Sequence, residues 1–328
     1  MTAGSPKRTE TALAPLVAAG GPVRYIKLGA GGALEAECLA NGAAVGTIYF
    51  GFGMERPERL AACRARRWQQ LRALFLSAEH AGKPGVATNV ANQARAFFED
   101  DGTTVWITFH GGRLWWCRSS HRPEPREGRD GVWRPVDGGW SDHDATDTPL
   151  QTWHLSGRVT KLLAFRGTSC ALPPDDAAYV RRRINGGTIP EVEEARTASD
   201  QLLHAVGRLM RLLEPSDFET LVDLVFTTTG WRRLGPVGGT QKTIDLELQL
   251  PTTGEQAFVQ VKSVATERLF AEYVAALQER AQDAWMFFAY HSGEVGPAVP
   301  RVRLLGPEAL AQLVLDAGLV SWLLRKTE

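Results

Sequence analysis

The sequence predicts two domains of different class, an N-terminal α+β domain that is mostly β and barrel-like, followed by a C-terminal α/β domain. Six of the ten tryptophans lie between Trp106 and Trp153, in a region of short strand-like runs separated by Gly, Pro and Asp. From Pro215 onward the pattern changes to helix, strand, strand, helix, strand. A chain of 328 residues is long enough for two such domains.

The N-terminal region divides into a tail and a folded domain. Residues 1–20 are predicted to form a flexible tail, because Glu10 precedes their short apolar run and Pro15 interrupts it, which also argues against a secretory signal. The N-terminal domain is predicted to span residues 21–172. A proline-rich step at Pro173 and a Gly-Gly-Thr-Ile-Pro segment then favour a domain boundary.

The boundary segment, residues 173–214, is predicted to be a linker with a connecting helix. Apolar residues at helical spacing predict this helix from about Ser199 to Leu213. The C-terminal domain then spans residues 215–328.

Composition predicts a soluble globular chain. Basic and acidic side chains number 37 each, and 44% of the residues are hydrophobic, which excludes a chain that is disordered as a whole and a polycation. Residues 1–200 carry 25 basic and 22 acidic side chains, whereas residues 201–328 carry 12 and 15. The four cysteines lack the spacing of a disulfide framework or a zinc site, which favours a reducing cytoplasm. No apolar stretch is long enough for a bilayer, so no membrane partner is expected.

The segment from Asp217 to Ser263 carries the chemistry. It begins with an amphipathic helix that has Glu219 near its start, and two strands then form a hairpin around a Pro-Thr-Thr-Gly-Glu turn. If this turn centres near Thr253, Asp245 lies opposite Val261. A shift of one residue places the Asp245 carboxylate beside Gln260 and Lys262, which share a face because they are two apart on a strand.

Those side chains suit a magnesium site. Carboxylate and amide oxygens are the ligands that Mg²⁺ prefers, and it commonly needs only one or two protein carboxylates. The Lys262 ammonium would stabilise negative charge that develops on an attacked phosphate. The segment therefore predicts metal-assisted phosphodiester hydrolysis.

The same residues resemble a known family, the Mrr-like branch of the PD-(D/E)xK nucleases, over roughly residues 215–325. The motifs are FETLV, GW, GGTQKTIDLEL and FVQVKS. The resemblance implies a restriction-endonuclease-like αβββαβ core and Mg²⁺ or Mn²⁺ as the cofactor. It also implies that Asp245 binds the metal, that Gln260 replaces the usual glutamate as a second metal ligand, that Lys262 is the catalytic lysine, and that Glu219 is a further catalytic acid.

Structural explanations of these residues remain open at this point. Ser216 and Glu219 have the spacing of a helix capping box. Glu247 shares a face with Asp245 and is either a second ligand or an exposed strand carboxylate. Gln260 and Lys262 on an ordinary strand would simply face solvent.

The N-terminal domain resembles the PUA-like superfamily, especially its EVE-type members. The resemblance rests on GTIYFGF and on an acidic Asp100-Asp101-Gly102 turn that leads into a strand. It implies a small β-barrel that holds a flipped, modified base against aromatic rings, and such stacking contributes roughly 1–3 kcal/mol per base. The candidate base-binding residues are Trp106, Trp115, Trp116, Trp153, Phe52 and Asn92. Strand alternation predicts that about half of the rings lie in the core instead.

Six arginines of this domain lie between residues 56 and 72. Arg64, Arg66 and Arg67 are candidates for phosphate contacts, although a solvated helix face is the ordinary alternative.

The two resemblances together predict a modification-dependent, type IV-like restriction endonuclease that acts on modified double-stranded DNA. A homodimer is expected, because cutting both strands needs two active sites. The alternatives are a catalytically inactive nucleic-acid-binding protein and an RNA-directed nuclease.

Overall fold

The computed structural model describes residues 16–39, 46–78, 82–235, 244–280, 284–297 and 299–328. The chain divides into two compact units, Met1–Thr188 and Ile189–Glu328. Both units combine helices with β-sheets, and the larger sheet of each unit is mixed, so the protein is of mixed α/β character.

The first unit contains six of the described strands and six of the described α-helices. The strands are β1 (Val23–Ile26), β2 (Thr47–Phe50), β3 (Val105–His110), β4 (Arg113–Cys117), β5 (Val132–Pro135) and β6 (Ser169–Ala171). The helices are α1 (Glu35–Leu39), α2 (Pro57–Arg64), α3 (Trp68–Ala78), α4 (Pro84–Glu99), α5 (Gly157–Thr160) and α6 (Pro174–Ile184).

These strands form two separate sheets in the described part of the unit. One is four-stranded, in the order β4-β3-β1-β6, and the other pairs β2 with β5. Strands β1 and β3 are parallel, which requires a long crossover, and helices α1–α4 lie within that connection. The predicted barrel-like domain is therefore, in the described residues, a mixed sheet with a separate two-stranded ribbon.

Strand β3 is buried on both faces. Trp106 packs in a core with Phe50 and Phe97, whereas Ile107 belongs to a second core that includes Val180 of α6. Every β3 residue from Val105 to Phe109 is buried. The expected burial of alternate side chains thus fails here, because a central strand covered on both faces buries all of them.

The acidic turn before β3 holds together several buried polar side chains. Asp100 Oδ2 accepts hydrogen bonds from Trp106 Nε1 at 2.8 Å and from Arg134 Nη1 at 2.9 Å. Both side chains of the Asp100–Arg134 ion pair are 1% exposed. Arg134 also donates to the backbone carbonyls of Phe97 and Ser119, so this buried cation is fully surrounded by acceptors.

The predicted tail and linker contribute to the first unit. Val17 is 1% exposed, and its backbone exchanges two hydrogen bonds with the Asn185 side chain. Helix α6, within the predicted linker, buries Val180 and Ile184 in the second core. Residues 16–20 therefore do not continue the predicted tail, and residues 1–15 lie outside the described part.

The second unit forms a five-stranded mixed sheet with helices. Its strands are β7 (Arg232–Arg233), β8 (Leu246–Gln249), β9 (Gln256–Ala265), β10 (Trp285–Gly293) and β11 (Val302–Leu305), and their order in the sheet is β11-β10-β9-β8-β7. Its helices are α7 (Pro190–Met210), α8 (Pro215–Thr228), α9 (Glu267–Arg280), α10 (Pro307–Asp316) and α11 (Val320–Thr327). From α8 to β10 the elements follow the αβββαβ order that the resemblance implies.

Strand β9 is the centre of this sheet. It pairs antiparallel with β8 and parallel with β10. Val259 and Val261 point into a core with Phe218 and Leu310 from the helices, so Gln260 and Lys262 point to the other face.

Helix α7 begins earlier than predicted. It starts at Pro190 and ends at Met210, and its residues 190–202 are exposed. Only its C-terminal part, with Val206 and Met210, packs in the core. The exposed turns of α7 have no run of large apolar residues at helical spacing. The apolar pattern in the sequence therefore predicted only the C-terminal part of the helix, which packs in the core.

No single described helix is both long and apolar enough to cross a membrane; only α10 and α11 together meet the length and composition criteria, and they are bent by 114° at the break between them.

Candidate active site

The hairpin of β8 and β9 sets the position of Asp245. Leu246 pairs with Val259, and the Asp245 backbone N donates to the Val259 carbonyl at 3.1 Å. In this register Asp245 lies opposite Gln260, one residue from the predicted partner Val261. The last pair before the turn is Gln249 with Gln256, so six residues, 250–255, form the turn. The centre of the hairpin therefore falls between Thr252 and Thr253 and not on Thr253, which shifts the pairing by one residue.

Three groups of β9 converge on one oxygen of Asp245. The Oδ2 atom accepts hydrogen bonds from the side-chain amide of Gln260 and from the backbone N of Val261, the latter at 2.7 Å. The Lys262 ammonium lies 3.6 Å from the same oxygen. Asp245 and Lys262 keep 21% and 28% of their side chains exposed, so a substrate can reach them.

Gln260 is the buried member of the cluster. It is 1% exposed, and its Oε1 has no hydrogen-bond partner in the described chain. A buried amide oxygen without a partner costs free energy, and a cation would satisfy it. The amide nitrogen of the same side chain bonds to Asp245, so the two residues together carry a carboxylate and an amide oxygen, the ligand types of a hard divalent cation such as Mg²⁺.

The remaining ligands of such a cation would include water. Among the described residues, no group of three or more His, Cys, Asp or Glu side chains is arranged to hold a metal ion. Mg²⁺ usually keeps several waters, so one carboxylate and one amide oxygen are a sufficient protein contribution.

Glu219 lies on α8 within electrostatic range of this cluster. Partial burial and the charge of Asp245 raise the pKa of Glu219, whereas Lys262 and Arg233 act in the opposite direction. Glu219 and Asp245 are thus close enough for their charges to interact, which makes the Glu219 carboxyl harder to ionise than that of an ordinary glutamate.

The capping box proposed for Ser216 and Glu219 does not form. The N-cap of α8 is Glu214, without a side-chain capping bond, and Pro215 is the first helical residue. Ser216 instead lies inside the helix, where its carbonyl accepts from the Thr220 hydroxyl at 2.9 Å. Glu219 is therefore not occupied in helix capping.

Three neighbours of the cluster escaped the sequence reasoning. Arg233 Nη1 lies 3.4 Å from Asp223 Oδ2, and its Nη2 lies 3.4 Å from the Asp245 carbonyl. Asp223 follows Glu219 by one helical turn. The Lys262 ammonium lies 5.4 Å from the ring centroid of Tyr273 on α9, within cation–π range. None of the three stands in a motif, and only folding brings them to the site.

Two other features predicted from the sequence are Glu247 as a second ligand and the glycine-rich part of the nuclease motif. Glu247 is exposed and takes no part in the contacts of Asp245. The Gly-Gly-Thr-Gln-Lys-Thr part of the nuclease motif, residues 238–243, lies outside the described residues.

The candidate base-binding residues of the first unit differ in exposure. Trp106 is 0% exposed and its indole N–H is bound to Asp100, so in this structure it is a core residue and offers no stacking surface. Trp153 is 69% exposed and lies edge-on to His154, with ring centroids 6.0 Å apart. Asn92 is exposed on α4. Of these residues, Trp153 offers the most open ring.

The other aromatic candidates are half-buried. Trp115 Nε1 donates to the His110 carbonyl at 3.2 Å, and Trp116 Nε1 donates to the His143 carbonyl at 2.9 Å. Phe52 packs on Phe50 with a centroid distance of 5.5 Å. These rings are fixed by the fold and expose only part of their surface.

The phosphate-binding candidates lie at the end of α2. Arg64, Arg66 and Arg67 are all exposed. Arg64 forms an ion pair with Glu124, and both side chains are more than half exposed.

Comparison with known proteins adds little to this geometry. No family model matches the chain, and no curated protein matches it. Among solved structures, the chain is similar to the MspJI restriction endonuclease in complex with a 27-mer oligonucleotide, with 14% identity and a TM-score of 0.24. That match covers 66% of this chain and 63% of the MspJI chain, less than two thirds of its length. At this TM-score the match carries no inference about fold or function, which must be argued from the site.

Proposed function

We propose that this protein is a modification-dependent DNA endonuclease that hydrolyses phosphodiester bonds with Mg²⁺, or Mn²⁺, in its second unit. The observation that carries the proposal is the convergence of Gln260 and Lys262 on Asp245, with the Gln260 Oε1 atom buried and without a partner. Buried polar groups in proteins nearly always have partners, so such an atom beside a carboxylate favours a ligand site.

Asp245 and Gln260 would hold the cation through carboxylate and amide oxygens. The hydrogen bonds from the Gln260 amide and the Val261 backbone fix the carboxylate on a paired strand. All three β9 contacts go to Oδ2. Bound by Asp245 and Gln260, Mg²⁺ would supply Lewis-acid activation of the phosphodiester.

Lys262 would stabilise the reacting phosphate. Its ammonium is held by the Asp245 carboxylate on one side and the Tyr273 ring on another, so it is positioned without being neutralised by a close hydrogen bond. A fixed positive charge in a partly desolvated site stabilises the charge that develops in the transition state. Glu219, whose carboxyl pKa is raised by partial burial and by the charge of Asp245, would be the neighbouring acid that exchanges a proton with the reacting groups.

Modified double-stranded DNA is the proposed substrate, and a homodimer the proposed cutting form. The sequence resemblances support both. Trp153 and the exposed arginines 64, 66 and 67 provide aromatic and cationic groups of the kind that contact bases and phosphates.

The direct test is a cleavage panel with purified full-length protein and Mg²⁺. The substrates are unmodified DNA, DNA carrying methyl-, hydroxymethyl- or glucosyl-cytosine, and a structured RNA. We expect cleavage of at least one modified DNA, and none after the metal is chelated. Cleavage of RNA in preference to every DNA would favour the RNA-directed alternative. DNA binding without any cleavage, together with no Mg²⁺-induced thermal shift, would favour the inactive binding protein.

A further inference from the structure

A second concave site lies in the first unit, outside the candidate active site. It is a pocket of about 300 Å³ formed where the end of α2, the start of α3, the end of α4 and the segment after β4 meet. Its lining includes Arg64, Arg66, Trp68, Phe98, Arg122 and Glu124. The volume is at the lower end of the range for small-molecule sites.

Two aromatic side chains form the apolar part of the pocket. Trp68 and Phe98 are both half-buried and pack against the core that contains Phe97. The Trp68 indole N–H donates to Glu99 Oε1 at 3.0 Å, which fixes the orientation of the ring. These rings are held by packing, so they are preorganised for stacking.

Three guanidinium groups form the cationic part. Among the described residues, the side chains of Arg66 and Arg122 make no hydrogen bond or ion pair, and both residues are exposed. Arg64 pairs with Glu124, but exposed ion pairs contribute little to stability, so Arg64 can exchange this partner for another anion.

The backbone of Arg66 indicates that its side chain has a role. Its φ is 55°, in the left-handed region that favours glycine. Arg66 N bonds to the Cys63 carbonyl and Arg67 N to the Ala62 carbonyl, which closes the end of α2 in the manner of a glycine cap. Arginine is conformationally unfavourable there, and among the described residues its side chain makes no hydrogen bond or ion pair, although its charge helps to lower the pKa of Glu99.

The polar groups of the pocket suit reversible binding. Burial raises the pKa of the Cys63 thiol to about 12, so this lining residue stays protonated and is not a nucleophile. The hydrogen bond from Arg95 lowers the pKa of Glu99, so that carboxylate is ionised and can accept hydrogen bonds from amino groups.

We propose that this pocket binds a nucleotide, with the base stacked on Trp68 or Phe98 and the phosphate held by Arg64, Arg66 and Arg122. Guanidinium groups match the geometry of phosphate oxygens, and an aromatic ring stacks on any base. The Glu99 and Glu124 carboxylates would accept hydrogen bonds from exocyclic amino groups. The proposal does not rest on the proposed catalytic centre, none of whose residues lines the pocket, although Arg64 and Arg66 are also among the arginines proposed to contact DNA.

The test is isothermal titration of the full-length protein with four probes: a nucleoside, inorganic phosphate, a nucleoside 5′-monophosphate and a short single-stranded oligonucleotide. We expect the monophosphate or the oligonucleotide to bind more tightly than the nucleoside or phosphate alone. Tighter binding of the oligonucleotide identifies a strand as the source of the nucleotide, and tighter binding of the monophosphate identifies a free nucleotide. Phosphate binding as tight as either nucleotide probe, or no binding of either, would overturn the proposal.

Variants assign the binding to this pocket. Arg66→Gly removes the guanidinium while relieving the left-handed backbone, so its melting temperature should equal or exceed that of the wild type while nucleotide affinity falls about tenfold. Trp68→Leu should weaken binding similarly, and Arg118→Ala, an exposed arginine of the same unit outside the pocket, is the matched control. Unchanged affinity in both pocket variants would place the nucleotide elsewhere. Asp245→Ala should bind as the wild type does, so a failure of the nuclease proposal leaves this one standing.

Discussion

The side-chain amide of Gln260 donates a hydrogen bond to Asp245 Oδ2 across the hairpin of β8 and β9. This contact directs the amide nitrogen to the carboxylate and leaves the amide oxygen buried without a partner in the described chain. The orientation matters because the oxygen, not the nitrogen, can coordinate a cation. The pair thus combines a fixed carboxylate with an available neutral ligand.

Replacing Asp245 or Lys262 by Ala should reduce DNA cleavage by roughly 10²–10³-fold or more, because each change removes a charge that acts on the reacting phosphate. Gel assays under single-turnover conditions measure the rate, and a binding assay should show unchanged affinity for DNA. Glu255→Ala, in the turn of the same hairpin, is the control and should cleave normally. Normal cleavage by either Asp245→Ala or Lys262→Ala would remove the assigned centre.

Gln260→Glu should make the protein depend on Mg²⁺ for stability. A second buried carboxylate beside Asp245 has a raised pKa, and the stability that its protonated form provides is lost as pH rises through that value. Without metal, the melting temperature should therefore fall more at about pH 7 than at about pH 5. Added Mg²⁺ should raise the melting temperature of Gln260→Glu more than that of the wild type. It should leave the melting temperature of Gln260→Met unchanged. Equal Mg²⁺ responses in the wild type and in Gln260→Met would show that the metal is bound elsewhere.

Glu219→Gln should stabilise the protein at neutral pH while slowing cleavage. The folded-state pKa of Glu219 is raised, so its contribution to stability is full below the unfolded pKa and is lost as pH rises through the folded value. The glutamine side chain of the variant does not titrate. The urea midpoint of the variant should therefore be higher than that of the wild type at about pH 7 and equal to it at about pH 4. An advantage of the same size at both pH values would mean that the carboxyl pKa is not raised.

Trp106 and Trp153 should respond oppositely to alanine substitution. Trp106→Ala should lower the free energy of unfolding by about 3–5 kcal/mol, since it empties a core site and removes a bond to Asp100. Trp153→Ala should leave stability within about 0.5 kcal/mol, because its ring is exposed, and weaken DNA binding instead. Denaturation and fluorescence-anisotropy titrations separate the two effects. Unaltered DNA affinity in Trp153→Ala would exclude this ring as a base contact.

Where the information was local, the sequence predicted which of the candidate residues lie close together. Period-two alternation on β9 places Gln260 and Lys262 on one face, and the hairpin brings Asp245 to them within one residue of the predicted register. Arg233 and Tyr273 were missed because they reach the cluster through pairing and packing of separate elements. Such contacts leave no periodic signal.

In the first unit too, contacts between distant parts of the chain could not be predicted from the sequence. The Asp100 turn was recognised, but its partner Arg134 lies 34 residues away and no pattern links them. The prediction that alternate side chains of β3 are exposed was wrong for the same reason. Trp106 is buried by Phe50 and Phe97, which belong to other elements. Long-range burial, rather than local preference, decides these positions.

Strand β9 is hydrogen-bonded on both sides, so Asp245, Gln260 and Lys262 depend on a segment that cannot shift without breaking two ladders at once. Its backbone amides should be among the slowest of the unit to exchange with solvent. Glu219 and Arg233, by contrast, come from a helix and from a two-residue edge strand. The centre therefore combines a backbone held on both sides with neighbours from elements that have fewer strand partners.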